Sequence, residues 1–257
     1  MEDRHDWLLE SRSDRVVTLQ LNYPQRRNAF TIPMRLALID ALQRAEKDAD
    51  VSAIVLTGGT ATFCSGGDVS TMGAKGEVSW RERLLLASEV AVRIARNSKP
   101  VIAAVEGWAV GAGLSLAMLC DTVVAGNDAR FKTGFSDVGM IGDIGLLHTL
   151  PARVGTARAK QLLFYGEVVE AAEAHRIGLV DHLAESGQSL AAAHRLASTV
   201  ARKGPRAVEM TKTLLAEGLE PLLVRERATQ EFLAGTADHL EGMAAFMEKR
   251  APRFTGR

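Results

Sequence analysis

Along the chain, apolar positions first recur every second residue and then every third or fourth. Between residues 7 and 22, Val17, Leu19 and Leu21 fall on one face and Thr18 and Gln20 on the other, which predicts a half-buried strand. Trp7 to Ser11 is its expected hairpin partner, with Ser13-Asp14 as the turn. Thr31 can cap a helix that has Pro33 in its first turn, and Met34, Leu38, Leu42 and Ala45 then share one apolar face. Ala53 to Thr57 and Val101 to Val105 are unbroken apolar runs, as in strands covered on both faces. Between them, Gly73-Ala74-Lys75-Gly76-Glu77 reads as a mobile loop, and a helix is predicted from about Ser79 to Ala95, before Lys99-Pro100. Asp121–Ala125 and Ala129–Thr133 are expected to be short strands.

Residues 134–145 show little period. Four glycines and two aspartates in that apolar stretch imply a lined cavity. From Leu146 onward the pattern is helical, with glycine stops. The tail from about Arg202 shows one apolar stripe, Val224, Ala228 and Phe232, and no strand pattern. It reads as an oligomerisation and lid element, so the chain divides into a core, residues 1–200, and a helical region, 201–257. Alternating strands and helices make the class α/β.

Composition narrows the function. The chain has 257 residues, 47% of them apolar, enough for a substantial core. Its 31 basic and 31 acidic residues balance, so there is no electrostatic footprint for nucleic acid. Two cysteines argue for a reducing compartment, and the charged start Met1-Glu2-Asp3-Arg4-His5-Asp6 does not read as a signal peptide, so the expected location is cytoplasmic. Val101 to Cys120 is long and apolar enough to span a bilayer, but Glu106 and three glycines interrupt it. A buried strand, turn and helix is the expected reading, with no membrane partner. Six scattered histidines without an HExxH pattern or a cysteine pair give no metal site.

The candidate chemistry lies in two glycine-rich passages, Phe63-Cys64-Ser65-Gly66-Gly67-Asp68 and Val105 to Asp121. Each follows a strand-like run, so each marks a strand end that turns sharply. The second runs into an apolar helix, whose first N–H groups have no internal partner and sit at the positive end of its dipole. One N–H donor from each passage could converge on a developing oxyanion, although tight turns and close packing would also explain the glycines. Gly111-Ala112-Gly113 lacks the third glycine of a dinucleotide fingerprint.

"FCSGGD" followed by "KPVIAAVEGWAVGAGLSLAMLCD", with "YPQRRNAF" near the start and "EGMAAFMEKR" near the end, resembles the crotonase (enoyl-CoA hydratase/isomerase) superfamily over nearly the whole chain. The resemblance implies a crotonase-like spiral of ββα units with a helical C-terminal trimerisation region, and hence a homotrimer or hexamer. It implies an acyl-CoA thioester substrate, with coenzyme A arriving as part of the substrate and no separate cofactor. It puts the two oxyanion donors at Gly67 and Ala112. Matched positions extend the substrate site to Cys64, Ser65, Asp68, Val69, Gly111, Gly139 and Phe246. Arg26 and Arg27 match the loop that contacts CoA, and Lys249 matches a lysine that reaches a neighbouring subunit's CoA.

Two departures decide the expected reaction. Hydratases of this superfamily carry one glutamate three residues after the second donor and another four residues after the phenylalanine matching Phe131; here these positions hold Ser115 and Phe135. Neither can activate water or donate a proton to carbon at neutral pH. Asp143 remains, at a position where several enoyl-CoA isomerases of the superfamily place their single acid. One carboxylate suffices to take a proton from C2 and return it at C4. A structural alternative is that Asp143 caps a helix starting near Ile144. Asp68 and Asp137 are rival acids, and Phe135 packs against the acyl group or the core. An isomerase is therefore expected, with a hydratase or a catalytically silent acyl-CoA binder as alternatives. A serine hydrolase built on Ser115 and His148 is disfavoured, because the second glycine of a nucleophile elbow is alanine here.

Overall fold

The computed structural model describes residues 6–68 and 79–257. The predicted mobile loop, residues 73–77, and Val69 lie outside them. β1 (Leu8–Ser13) and β2 (Val16–Leu21) form the expected antiparallel hairpin, with Asp14 in the left-handed region at the turn. α1 (Ile32–Lys47), capped by the Thr31 side chain, returns the chain so that β3 (Ala53–Thr57) pairs parallel to β2. α2 (Trp80–Ala95) does the same for β4 (Val101–Val105), starting from a reciprocal cap between Ser79 and Glu82.

The chain then alternates between two sheets. β5 (Trp108–Val110) leaves the main sheet, α3 (Ala112–Leu119) carries the chain back to β6 (Thr122–Gly126) beside β4, and β7 (Arg130–Lys132) steps out again to pair with β5. α4 (Leu146–Tyr165), β8 (Val169–Glu170), α5 (Ala171–Arg176) and β9 (His182–Ala184) repeat the movement, with β8 joining β7 and β9 joining β6. The result is a six-stranded sheet of order β1-β2-β3-β4-β6-β9 beside a three-stranded one, β5-β7-β8. This is the spiral of ββα units. The expectation of helix alone after Leu146 is corrected by β8 and β9. Both are too short to announce themselves by alternation, and they exist because open sheet edges wait for them.

α6 (Ser189–Val200) covers the second face of the main sheet. It corrects the half-buried reading of β2: Thr18 is buried, its hydroxyl 2.8 Å from His194 Nε2 on α6. α7 (Pro205–Leu215), α8 (Leu219–Ala234) and α9 (Ala237–Glu248) complete the chain. They are held to the core by specific pairs. Lys212 Nζ lies 2.7 Å from Asp121 Oδ2, Arg96 Nε lies 2.7 Å from Glu220 Oε1, and Leu219 and Leu223 join the main hydrophobic core. Among the described residues no helix is long and apolar enough to cross a membrane; the apolar run Val101–Cys120 resolves into β4, β5 and α3.

Val224, Ala228 and Phe232 face outward, with Phe232 73% exposed. The buried face of α8 is Leu219, Leu223, Glu226 and Gln230. Those four positions repeat at helical spacing, but two are polar, and a hydrophobicity pattern passes over polar core positions.

Candidate active site

The two glycine passages meet edge to edge. Cys64 N–H donates to the Trp108 carbonyl and Val110 N–H donates to the Cys64 carbonyl, each at 3.0 Å, so residue 64 forms a parallel bridge with β5. The contact leaves no room for side chains. A Cβ on Gly66, whose φ is +98°, would stand 2.9 Å from the Val110 carbonyl oxygen and 3.7 Å from the Ala112 nitrogen. The peptide units leading to Gly67 and Ala112 are thereby brought side by side. Ala112 opens α3, so its N–H has no partner within the helix, and no backbone carbonyl among the described residues accepts from Gly67 N–H. Gly111, at φ +53° and ψ −121°, makes the sharp entry into the helix.

A third segment braces this arrangement. Arg27 and Asn28 are both left-handed, with φ of 52° and 54°. The Asn28 side chain is buried; its Nδ2 donates to the Gly58 and Thr62 carbonyls at 2.9 Å each, and its Oδ1 accepts from Tyr23 N–H at 2.9 Å. Ser65 N–H donates to the Arg27 carbonyl (3.0 Å), Ser65 Oγ to the Arg26 carbonyl (3.1 Å), and Phe30 N–H to the Gly66 carbonyl (2.7 Å). Arg26 and Arg27 stay exposed on a loop fixed to the Gly66-Gly67 turn.

Asp143 lies in the loop before α4. Its carboxylate does not cap that helix: Gly145 is the N-cap, and the first-turn donors are taken by Glu226 of α8, with Gly145 N–H to Oε2 at 2.8 Å and Leu147 N–H to Oε1 at 3.3 Å. Asp143 instead receives Gln230 Nε2 on Oδ2 at 3.3 Å, while Oδ1 is shielded and has no partner. Burial raises its pKa to about 6, against the attraction of the buried Arg35 guanidinium and the Gln230 hydrogen bond. Arg35 itself sits over the Phe30 ring, 4.9 Å from its centroid, and donates Nη1 to the Arg83 carbonyl; its Nε has no partner. Burial lowers the Arg35 pKa to about 10 while Asp143 pulls it back up. Arg35, Glu226 and Gln230 escaped the sequence reading. The available signal was charge or amide at positions in register with apolar core residues.

The remaining candidates separate. Ser115 is fully buried in α3, and its Oγ donates to the Gly111 carbonyl at 3.3 Å, an ordinary intrahelical bond. His148 lines a cavity of about 1000 Å³ beneath α7 along with Met118, Arg153, Lys212 and Leu215, and Ser115 is not part of that lining. Asp137 is an exposed partner of Lys132 Nζ at 2.6 Å. Asp68 is half-buried and ends the first described stretch, and Phe135 is half-buried against the core. The Cys64 side chain is buried against Gly113, with its thiol pKa pushed up to about 12 by burial, so that residue contributes only backbone. Gly139 faces the backbone of α9, where a Cβ would lie 3.0 Å from His239 N. Phe246 and Lys249 are exposed at the end of α9, with Lys249 in the left-handed region.

The family profile described as enoyl-CoA hydratase/isomerase matches residues 11–257. The chain belongs to that family. It is 36% identical over 97% of its length to the Escherichia coli 2,3-dehydroadipyl-CoA hydratase, covering 99% of that protein. It is 34% identical to the Escherichia coli 1,2-epoxyphenylacetyl-CoA isomerase, covering 94% of this chain and 95% of the relative. The crystal structure of an enoyl-CoA hydratase/isomerase from Pseudoalteromonas atlantica superposes with a TM-score of 0.89 at 31% identity, over 97% of this chain and all of that one. The crotonase-superfamily fold expected from the glycine motifs is thus the fold of the molecule.

Proposed function

We propose that this member of the family is an enoyl-CoA isomerase in which Asp143 alone shuttles the proton. The observation that carries the reading is the state of that carboxylate: it lies beside a buried cation, caps nothing, and keeps Oδ1 unpartnered. The Gly67 and Ala112 N–H groups hold the thioester oxygen. Asp143 Oδ1 removes the C2 proton, the electron pair moves into the thioester to give an enolate, and the same oxygen returns the proton to C4 as the double bond shifts to C2–C3. Preorganised backbone donors suit this charge because they need no reorganisation as it develops. A base whose pKa is near 6 is ionised at neutral pH, yet its conjugate acid is strong enough to give the proton back.

Asp143→Asn keeps the shape and removes the base. The isomerisation of a 3-enoyl-CoA should fall by about 10²–10⁴-fold while CoA-ester affinity persists. In deuterated water the wild type should exchange the C2 proton of a saturated acyl-CoA and the variant should not. A variant that isomerises and exchanges like the wild type rejects the assignment. Hydration is the second reading, supported by the name of the E. coli 2,3-dehydroadipyl-CoA hydratase. Rapid turnover of crotonyl-CoA by the wild type would favour it, with Asp143 activating water.

The exposed stripe Val224, Ala228 and Phe232, together with exposed Phe246 and Met247 on α9, supports assembly into a trimer or a dimer of trimers. Lys249 would then reach a neighbour's CoA. A stable monomer in light scattering at micromolar concentration would reject both statements.

A further inference from the structure

The tail helix α8 does more than pack. Its Glu226 and Gln230, one turn apart and each only 2% exposed, grip the loop that carries Asp143. Gln230 Oε1 accepts Ile141 N–H at 3.2 Å, and Nε2 donates to the Ile141 carbonyl at 3.0 Å and to Asp143 Oδ2 at 3.3 Å. The Ile141 N–H fixes which way the amide faces, and so which end is offered to the carboxylate. Glu226 uses one oxygen for Gly145 N–H and the other for Leu147 N–H. Between these two grips lies Ile144, with φ of +56°. A β-branched residue resists that conformation, so the surrounding contacts must impose it. The turn that aims Asp143 is therefore held strained by α8.

We infer that Glu226 and Gln230 are positioning residues for Asp143, which fix Oδ2 and leave Oδ1 as the oxygen that carries the proton. The inference rests on reading Asp143 as the base. The two residues act on it in different ways. The Gln230 N–H stabilises the carboxylate. Glu226, raised to about 7 chiefly by burial and further by the Asp143 charge, is still largely protonated while Asp143 titrates, so it acts on the loop through its Gly145 and Leu147 bonds rather than through charge. The other charged group facing Asp143 is Arg35 of α1, which favours the anion, with Arg83 of α2 and Cys64 close to that guanidinium.

The test is the pH profile of kcat/KM for isomerisation, with thermal denaturation and CoA-ester affinity as controls. Gln230→Leu removes the donor to Oδ2, so the Asp143 pKa rises and the acidic limb moves to higher pH. Glu226→Gln removes an acceptor oxygen from the Gly145 and Leu147 grip without changing the charge present while Asp143 titrates, so the limb stays in place and kcat falls with KM unchanged. Both variants should lose about 10–100-fold in kcat at the optimum, because the carboxylate is less well aimed. A residue that only stabilised the fold would lower Tm and activity together, so Gln230→Leu is read by the limb and Glu226→Gln by kcat at unchanged Tm and KM. Should Gln230→Leu fail to fold, Gln230→Glu keeps the shape and should also move the limb upward. A Gln230→Leu limb that stays in place, or a folded Glu226→Gln enzyme with wild-type kcat, overturns the inference. Asp143→Asn tells the two failures apart: full activity in that variant removes the base itself, whereas an inactive Asp143→Asn with an unshifted limb in Gln230→Leu removes only the clamp.

Discussion

Replacing Gly113 by alanine tests whether contact between the two glycine passages sets the spacing of the oxyanion donors. A Cβ at residue 113 would lie 2.7 Å from Cys64 Cβ and 2.9 Å from the Cys64 carbonyl carbon, with the carbonyl oxygen closer still. Ordinary contact begins near 3.4 Å, so α3 and the Cys64 segment must part by about 0.7–1 Å. Cys64 is hydrogen-bonded on both sides to β5, so the displacement falls on the start of α3, where Ala112 sits. An N–H···O bond of about 2.9 Å stretched by that amount is largely lost. Loss of one donor, or a misplacement of about 1 Å, costs about 10²–10³-fold in kcat. Overpacking should also cost about 1–3 kcal/mol of stability. Steady-state kinetics on a 3-enoyl-CoA and a thermal melt read both quantities. Gly204→Ala is the control, because nothing lies within 4 Å of the position a Cβ would take there. A folded Gly113→Ala enzyme with wild-type kcat would show that the donor spacing does not depend on this contact.

Asn28→Ala should leave the Gly58 and Thr62 carbonyls and the Tyr23 N–H without their partner, at about 1–3 kcal/mol for each group that water cannot reach, and should raise KM for CoA esters because the Arg26-Arg27 loop loosens; denaturant titration and kinetics check this. Asp143 has a raised folded pKa, about 6 against about 3.8, so the folded state holds the extra proton between those values and Asp143 lowers stability as pH climbs through that window. The Tm of Asp143→Asn relative to wild type should therefore increase from pH 4 to pH 7, as calorimetry would show; a constant difference would refute the linkage. Cys64 and Cys120 are buried with thiol pKa values pushed to about 12, so neither should react with a thiol reagent at pH 8 in the native protein, and both should react in denaturant.

Sequence alone determined what depends on local pattern. Thr31 capping α1, the unbroken apolar runs of β3 and β4, and the sharp glycine turns each follow from a few adjacent residues, and each stands where the pattern put it. The glycine motifs, together with the matched segments near either end of the chain, carried the resemblance to the superfamily. Tertiary structure decided the rest. Thr18 is buried because α6, some 170 residues downstream, lies over it, and no period in β2 could say so. β8 and β9 exist because edges were left open for them. The outward turn of Val224, Ala228 and Phe232 could not be read from the helix, since burial of α8 runs through Glu226 and Gln230. Asp143 shows the division most clearly. Its position in the loop is local, but the burial that raises its pKa, and the Arg35 charge and Gln230 hydrogen bond that oppose that rise, come from groups about 80–110 residues away that only packing brings together.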